Sequence, residues 1–264
     1  MDNTDNNLPP IKITPLIFIK SLLFNISFFS WAIICSLLLS PLFIVSARAS
    51  QLSGKPWGLV SLFFARIFCG IKYEIRGREN MKNYPVIYAS KHQSAWDTII
   101  FLILFPRVAY VLKKELLRLP LWGWYLWRMK MIAIDRSAGA SSIKKLIKES
   151  KEAIEEKRPI VIFPEGTRVK PNSVPDYQPG ITAMYSSLKV PVVPVALNSG
   201  VYWGKNAFFK RSGTIIIEFL PEIPANLNKK EFINRLKNDI ELVSGKLIEE
   251  AKQTIENATG GKNG

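Results

Sequence analysis

The residues best suited to chemistry lie in the stretch from Lys91 to Asp97, which contains His92, the only histidine of the 264 residues. Imidazole is the side chain whose ordinary titration lies near neutral pH, so it can serve as a general base. If His92 stays in a loop and Asp97 lies in the first turn of a helix, the carboxylate can fold back onto the ring and fix its tautomer. These residues therefore predict a catalytic pair. The alternative is a helix cap, supplied by Ser94 or Asp97, beside a surface histidine.

The flanking residues predict a strand-to-helix junction around His92. The run from Tyr84 to Ala89 is apolar and typical of a buried strand, and Thr98 to Phe105 is apolar enough for a packed helix. In α/β sheets, ligands bind beyond the carboxyl ends of the strands. This position favours the catalytic interpretation of the pair.

Two further predicted strands end in an arginine, one at Asp135-Arg136 and the other at Arg168. If these strands are parallel neighbours of the first, both guanidinium groups reach the edge that carries His92. A guanidinium binds phosphate in bidentate geometry, so two of them beside one imidazole suit a phosphorylated substrate. Each alone has a plainer explanation, a surface ion pair for Asp135 with Arg136 and a simple turn before Arg168.

The residues just before Arg168 are Glu165, Gly166 and Thr167. Gly166 permits a close approach of the backbone to a ligand, and Thr167 adds a hydroxyl donor. Two roles remain open for Glu165, which can accept a hydrogen bond from a substrate hydroxyl or orient Arg168. We include all four residues in the predicted substrate site.

The charge balance points to an anionic partner, because 36 Lys and Arg face 21 Asp and Glu, a net charge of +15. Apolar residues make up 48% of the chain, and no zinc-ligand spacing or arginine-rich tract is present, which favours a membrane over a nucleic acid. The two cysteines, Cys35 and Cys69, lie inside apolar stretches and predict buried thiols in a reducing compartment. We expect no metal centre, since no carboxylate cluster replaces the missing histidines.

The N-terminal part predicts membrane association. Residues Ser21 to Ala47 carry no charge and are numerous enough to span a bilayer. A cleaved signal peptide is the alternative, but we favour an uncleaved helix. The amphipathic segment Trp57 to Ile71 either lies in the interface or returns as a second arm after a turn at Ser53 to Pro56. The larger cluster of positive charges follows the first helix and places the main domain in the cytoplasm.

From residue 71 onward, strands alternate with helices, which predicts an α/β fold with a mixed, mostly parallel sheet flanked by helices. We divide the chain into membrane-anchoring helices, 1–71, and a catalytic domain, 72–264. The predicted strands are Lys72–Arg76, Val86–Ala89, Val108–Lys113, Met131–Ile134, Ile160–Phe163, Val192–Leu197 and Thr214–Phe219. The predicted helices are Ala95–Phe105, Glu115–Arg128, Ser142–Lys157, Ile181–Leu188 and Lys229–Lys252. The tryptophan-rich part of the second helix is either an interfacial anchor or an aromatic core helix.

Four blocks of this sequence together resemble the 1-acyl-glycerol-3-phosphate acyltransferase family, within the lysophospholipid acyltransferase superfamily. They are the His-x4-Asp block of His92 and Asp97, the Ile-Asp-Arg block of Asp135 and Arg136, the block Phe163 to Arg168, and the proline block Val190 to Leu197. The resemblance implies an α/β fold behind a membrane-embedded helical pair. It also implies a lysine near the substrate phosphate, which we assign to Lys113 with Lys114 as the alternative.

The resemblance implies transfer of an acyl group from acyl-CoA or acyl carrier protein to the sn-2 hydroxyl of lysophosphatidate, which gives phosphatidic acid at the cytoplasmic face of the inner membrane. No cofactor beyond the acyl donor is expected. His92 would remove the hydroxyl proton, Asp97 would steady the imidazolium, and backbone N–H groups at the start of the next helix would stabilise the oxyanion. The alternatives are another lyso-lipid or glycerol-3-phosphate as acceptor and, from a different class, a non-catalytic basic protein that binds membrane lipid.

Overall fold

The computed structural model describes residues 8–42 and 46–260, and these residues form seven strands in one sheet. The strands are β1 (Ile71–Arg76), β2 (Ile87–Ser90), β3 (Ala109–Lys113), β4 (Ile132–Ile134), β5 (Ile160–Ile162), β6 (Val192–Leu197) and β7 (Gly213–Phe219). All seven predicted strands are therefore confirmed, with shifts of one residue at several ends. Short apolar runs between turn residues were sufficient to locate them.

Helices precede the sheet and cover both of its faces. They are α1 (Pro15–Leu38), α2 (Ala47–Cys69), α3 (Trp96–Leu104), α4 (Trp122–Arg128), α5 (Gly139–Glu155), α6 (Pro179–Leu188), α7 (Ser199–Tyr202) and α8 (Lys229–Gly260). Among the described residues there are also three short 3-10 helices, Arg78–Asn80, Lys114–Arg118 and Arg136–Ala138.

The strand order is β1-β7-β6-β2-β5-β3-β4, and β6 with β7 is the one antiparallel pair in this sheet. The prediction of a mixed, mostly parallel sheet is confirmed. In the register of β2, Ala89 lies between Ile162 of β5 and Pro194 of β6. The five strands from β6 to β4 run in the same direction, so their carboxyl ends meet at one edge of the sheet.

Alternate strand residues divide the core into two layers. Tyr88 and Val193 belong to the apolar cluster that includes α2, α3 and the C-terminal part of α8. Ile87 and Val192 belong to the cluster on the other face, with α5, α6 and the first half of α8. The period-two burial of strands produces this division, and the long α8 contributes to both layers.

The predicted helix Glu115–Arg128 is wrong as a single element. It is split into the 3-10 helix Lys114–Arg118 and the α-helix α4, with Leu119 in extended conformation between them. Pro120 explains the break, because its ring disfavours helical geometry at the preceding residue and it has no N–H to donate.

The turn at Ser53 to Pro56, one of the two possibilities left open for this segment, is not formed, because α2 continues through Pro56. The glycines there serve helix packing: a Cβ at Gly54 would lie 2.9 Å from Leu102 Cδ2, and one at Gly58 would lie 3.0 Å from Ile103 Cγ1. Glycine thus lets α2 approach α3 closely. The sequence signal for a turn was instead a signal for contact between two helices.

The N-terminal helices α1 and α2 pack against each other and against the sheet domain. Trp31 Nε1 donates to the carbonyl of Trp57 at 3.2 Å, which joins the two helices. Phe24 is fully buried and meets the ring of Trp203 edge to face, with centroids 4.9 Å apart. The helical pair therefore shares its core with the sheet domain, and the division at residue 71 stays a prediction. The predicted charge-free span Ser21 to Ala47 is divided after α1, and its residues 43–45 lie outside the described residues.

Candidate active site

The loops that follow β2, β4 and β5 lie at the edge of the sheet where parallel strands end, and they carry most of the predicted site residues. His92 comes two residues after β2, Arg136 two residues after β4, and Phe163 directly after β5. The N–H of Val169 donates to the carbonyl of His92 at 2.8 Å and ties two of these loops together. The sheet topology thus brings together segments that are far apart in the sequence.

His92 and Asp97 form the expected pair, with Nδ1 of the ring 3.0 Å from Oδ2 of the carboxylate. The same oxygen accepts the N–H groups of Gln93 and Ser94 at 2.7 and 2.8 Å, and Asp97 is fully buried. An oxygen that already accepts two N–H bonds acts as an acceptor toward the ring too, so Nδ1 carries the proton. That tautomer leaves Nε2 as a base.

The imidazole plane is held from one side by Phe163. The two rings stack with centroids 3.9 Å apart and planes 18° apart. Tyr110 lies beyond Phe163, parallel to it at 6.3 Å. Because the side chain of His92 keeps only 13% of its surface exposed, the stack and Asp97 together fix the direction in which Nε2 points.

The start of α3 does not provide the expected set of free amides for an oxyanion. Asp97 takes the N–H groups of Gln93 and Ser94, and the Ser94 hydroxyl accepts the N–H of Trp96 at 3.1 Å. These donors orient the carboxylate and cap the helix. We predicted that amides at the helix start stabilise the oxyanion, but these three N–H groups already have acceptors within the protein.

The arginines and the glycine of the site lie together. Gly166 has φ +71°, a conformation that favours glycine, and it adjoins the guanidinium of Arg136, since a Cβ there would lie 2.8 Å from Nη1. Arg168 donates from Nη2 to Oδ1 of Asn206 at 3.1 Å. Asn206 was missed by the sequence analysis, because it lies in a loop with no motif around it. Thr167 is exposed and lines the same cavity as the two arginines.

The two candidate lysines have different surroundings. Lys114 forms an ion pair with Asp135, and this contact lowers the pKa of the Asp135 carboxyl to about 2. Lys113 is exposed at the end of β3 and lines the same cavity as His92. The geometry thus favours Lys113 as the lysine that can bind a ligand. Asp135 forms its ion pair with Lys114 and not with Arg136.

One cavity of about 910 Å³ connects these residues with the N-terminal helices. His92, Lys113, Arg136 and Arg168 form its polar end. Its remaining walls are largely apolar and come from α1, α2, α4 and α5, among them Phe28, Ala32, Trp57, Tyr125, Leu126 and Ile143. A ligand with a phosphate at one end and a hydrocarbon chain at the other matches this distribution of polar and apolar walls.

The tryptophan-rich helix α4 combines both sequence interpretations. Trp122 and Tyr125 line the cavity, whereas Trp124 and Trp127 keep 67% and 68% of their surface exposed. The hydroxyl of Tyr125 donates to the carbonyl of Ser36 at 2.6 Å and attaches α4 to α1. One face of the helix packs inward and the other is available to a membrane interface.

The family model described as Acyltransferase matches residues 72–198, which include every predicted site residue. The 1-acyl-sn-glycerol-3-phosphate acyltransferase of Pseudomonas aeruginosa is 36% identical over 204 residues, which are 77% of this chain and 79% of that protein. The chain belongs to the 1-acyl-sn-glycerol-3-phosphate acyltransferase family. A relative of the same name from Limnanthes douglasii is 31% identical over 78% of this chain and 72% of its own length.

The fold has a counterpart among solved structures. The 1-acyl-sn-glycerophosphate (LPA) acyltransferase PlsC from Thermotoga maritima superposes with a TM-score of 0.69 at 20% identity, over 89% of this chain and 98% of that one. The family resemblance seen in the four sequence blocks is confirmed, and the protein is an O-acyltransferase. The roles of individual site residues stay predictions.

Glu165 does not occupy either position expected for it in this acyltransferase. It is 4% exposed, is not among the residues that line the cavity, and forms no hydrogen bond or ion pair with Arg168, whose Nη2 binds Asn206. Its Oε1 instead accepts the N–H of His92 at 3.3 Å and lies 3.5 Å from Nζ of Lys91. Burial against the His92 loop leaves Glu165 no access to a substrate hydroxyl. Its interactions are with the backbone of that loop and with Lys91.

Lys91 is the centre of this buried network and was missed as a functional residue by the sequence analysis. It is 1% exposed and donates to the carbonyl of Ser173 at 2.8 Å and to Oε2 of Glu241 at 2.6 Å. Glu241 belongs to α8 and also accepts the hydroxyl of Tyr177 at 3.0 Å. A buried lysine beside the only histidine was the one available signal, but its carboxylate partner on α8 is 150 residues away.

One ammonium between the buried carboxylate of Glu165 and the partly buried carboxylate of Glu241 leaves one negative charge without compensation. Glu241 makes the shorter contact with Lys91, and its side chain remains 14% exposed. Glu165 is the more deeply buried of the two, and burial raises its pKa to about 7, against an ordinary value of 4.5. Glu165 therefore binds a proton in the folded protein at pH values where it is ionised in the unfolded chain.

This difference makes the stability depend on pH. Because the pKa of Glu165 is raised on folding, protonation of this group stabilises the folded protein. This contribution to the free energy of unfolding is complete below about pH 4.5 and is lost as the pH rises toward about 7. Glu165→Gln replaces the protonated acid with a neutral amide. It should remove this pH-dependent part of the free energy of unfolding, which is on the order of 3 kcal/mol at most. Unfolding temperatures of the purified protein from pH 4.5 to 7.5 provide the measurement.

Glu155→Gln is the matched control, since Glu155 is exposed on α5. Its unfolding temperature should depend on pH as that of the unmodified protein does. An identical slope in Glu165→Gln and Glu155→Gln would contradict the assignment of the proton to Glu165.

Proposed function

We propose that this acyltransferase transfers a fatty acyl group from an acyl thioester to the free sn-2 hydroxyl of 1-acyl-glycerol-3-phosphate and produces phosphatidic acid. The observation that carries the proposal is the His92–Asp97 pair, whose imidazole lines a cavity together with three cationic side chains and largely apolar walls. The names of the relatives from Pseudomonas aeruginosa and Limnanthes douglasii specify the same acceptor.

In the proposed reaction, Nε2 of His92 takes the proton of the acceptor hydroxyl while its oxygen attacks the thioester carbonyl carbon. Asp97 stabilises the imidazolium that forms, through the bond to Nδ1. The tetrahedral intermediate then collapses, the C–S bond breaks, and the imidazolium returns the proton to the leaving sulfur. One base therefore serves both halves of the transfer, and no acyl-enzyme is formed.

The acceptor phosphate is proposed to bind to Arg168, with Arg136 and Lys113 in support. All three line the cavity on the side where the loops after β3, β4 and β5 meet. Arg168 is already oriented by Asn206, so part of its side-chain entropy is lost before the ligand binds. A clamp on the phosphate holds the hydroxyl in line with the thioester, which is a large part of catalysis.

The apolar part of the cavity is proposed to hold an acyl chain, and the acyl donor is coenzyme A or acyl carrier protein. The walls come from α1, α2, α4 and α5, so the helical pair and the sheet domain would enclose the chain between them. No further cofactor is part of the proposal. Within residues 8–42 and 46–260, no group of three His, Cys, Asp or Glu side chains is placed to hold a metal ion.

We also propose that the protein works at the cytoplasmic face of the inner membrane. Within the described ranges, α1 is the one helix that is long and apolar enough to cross a bilayer. Large apolar side chains on it remain exposed, including Leu16, Ile26, Ile33 and Leu38. Exposed apolar side chains concentrated on one helix are typical of a membrane-interaction surface, and a substrate with acyl chains would be delivered from the same membrane.

The test is an acceptor panel with the purified full chain and each donor class, read by mass spectrometry. We expect phosphatidic acid from 1-acyl-glycerol-3-phosphate to form at least about tenfold faster than products from glycerol-3-phosphate or a lysophosphatidylcholine. Glycerol-3-phosphate lacks the acyl chain for the apolar walls, and lysophosphatidylcholine carries choline on the phosphate, which lowers its negative charge and blocks one side of the clamp. Faster transfer to another acceptor would replace the proposed substrate. Membrane binding without transfer from any donor would support a non-catalytic lipid-binding protein.

A further inference from the structure

A second cavity, which shares no lining residue with the cavity at His92, lies at the start of α1 and the end of α2. It measures about 580 Å³ and is enclosed by the residues before α1, the first turns of α1, the end of α2, the segment before β7, and α8. Four cations line it, Lys12, Lys20, Lys210 and Arg211, against one carboxylate, Glu256. A cavity with this balance attracts an anion.

Arg211 has an unused hydrogen-bond donor there. Its Nη2 binds the carbonyl of Pro9, but its Nε is buried and has no acceptor among the described residues. A buried donor without a partner costs about 1–3 kcal/mol, and native structures rarely leave one. Because Arg211 lines the cavity, a bound anion would place acceptor oxygens beside this guanidinium.

Lys210 adds a buried charge to the same wall. It is 5% exposed, and its Nζ donates to the carbonyls of Ala207 and Phe208 at 2.6 and 3.1 Å. The rings of Phe24 and Trp203 lie 5.3 and 5.4 Å from Nζ, and no carboxylate of the described residues forms an ion pair with it. Carbonyls and rings solvate the ammonium only in part, so a nearby anion would stabilise it.

The first turn of α1 provides the remaining features. The positive end of the helix dipole is at this terminus, and Ile17, whose N–H is capped by Thr14, lines the cavity. Leu16 and Ile19 next to it keep 60% and 51% of their surface exposed. A cationic cavity thus adjoins an exposed apolar surface, which matches a molecule that carries a phosphate and acyl chains.

The geometry points to a phosphate-binding site in this cavity, which holds the headgroup of an anionic phospholipid whose acyl chains lie along α1. The site is separate from the one that binds the reacting lipid, and it would fix the height of the helical pair at the membrane surface. Inorganic phosphate shares the recognised chemistry, so the test must distinguish the two sources.

The decisive variant reverses the two exposed cations, Lys12→Glu with Lys20→Glu. The matched control is Lys229→Glu with Lys230→Glu, which changes the net charge equally but lies at the other end of α8 from Glu256, about 40 Å along the helix at about 1.5 Å per residue. If the first variant unfolds, Lys12→Gln with Lys20→Gln replaces it.

Native mass spectrometry of the full chain in detergent measures retention of phosphatidylglycerol and of phosphatidylcholine, and a thermal shift measures binding of inorganic phosphate. We expect the unmodified protein and the control to retain phosphatidylglycerol about tenfold more tightly than the reversal variant. Phosphatidylcholine retention should be equal in all three.

Loss of the phosphate-induced thermal shift in the reversal variant, with unchanged lipid retention, would identify free phosphate as the ligand. If neither the lipid nor phosphate distinguishes the reversal variant from the control, the site does not exist. Acyl transfer is not the readout, so this result is independent of the proposed reaction.

Discussion

Replacement of His92 by alanine should lower kcat/KM for acyl transfer about 10²–10⁴-fold, the usual cost of losing a general base. The expectation rests on the bond between Nδ1 and Asp97, which leaves Nε2 to face the reacting hydroxyl. Initial rates of phosphatidic acid formation at saturating donor, with the acceptor varied, measure the effect.

Alanine also removes a ring that stacks on Phe163, so loss of packing must be separated from loss of the base. His92→Asn is the matched variant, because the asparagine amide can still donate to Asp97 but offers no basic nitrogen. We expect both variants to lose activity to a similar degree while the unfolding temperature of His92→Asn stays close to that of the unmodified protein. Near-normal transfer by His92→Asn would remove His92 from the role of base.

The catalytic pair was predictable because its geometry is local. His92 and Asp97 are five residues apart at a strand-to-helix junction, and the structure puts the carboxylate on the ring as the spacing suggested. The arginines were predictable for a different reason, since parallel strands of similar length bring their carboxyl ends to one edge. Arg136 and Arg168 therefore needed only the correct strand assignments.

The features that we did not predict from the sequence depend on contacts between distant segments. The buried position of Glu165 follows from Lys91 and from Glu241 on the last helix, and no local pattern indicates that association. The course of α2 through Pro56 depends in the same way on its contact with α3, which needs the glycine at position 54. In both places, tertiary packing overrides the structure that the local sequence favours.

Two prolines differ from the local prediction in opposite directions. The turn at Ser53 to Pro56, one of two possibilities for the segment before Trp57, is replaced by continuous helix, whereas Pro120, predicted inside a helix, interrupts it. The difference lies in the residue before each proline: Leu119 is extended, whereas Lys55 remains helical within α2. Helix contacts can offset the cost of one proline, which is about 3 kcal/mol in an unsupported helix interior.

Replacement of Arg168 by alanine should lower kcat/KM for lysophosphatidate about 10–100-fold, because a hydrogen bond to a charged group contributes about 1.5–3 kcal/mol. Arg168 lines the cavity that contains His92 and is held by Asn206 at 3.1 Å, so it is positioned to bind the phosphate before the reaction. Steady-state kinetics with the acceptor varied at fixed donor provide the measurement, and KM for the donor should be unchanged.

Two comparisons separate a phosphate contact from a general loss of structure. Arg168→Lys keeps the charge but loses the guanidinium fork, so it should recover part of the acceptor kinetics. A monoacylglycerol, which has the hydroxyl and the chain but no phosphate, should be acylated slowly and at the same rate by Arg168→Ala and the unmodified protein. If the variant slows both acceptors equally, Arg168 maintains the loop after β5 and the phosphate clamp must be assigned to Arg136 and Lys113.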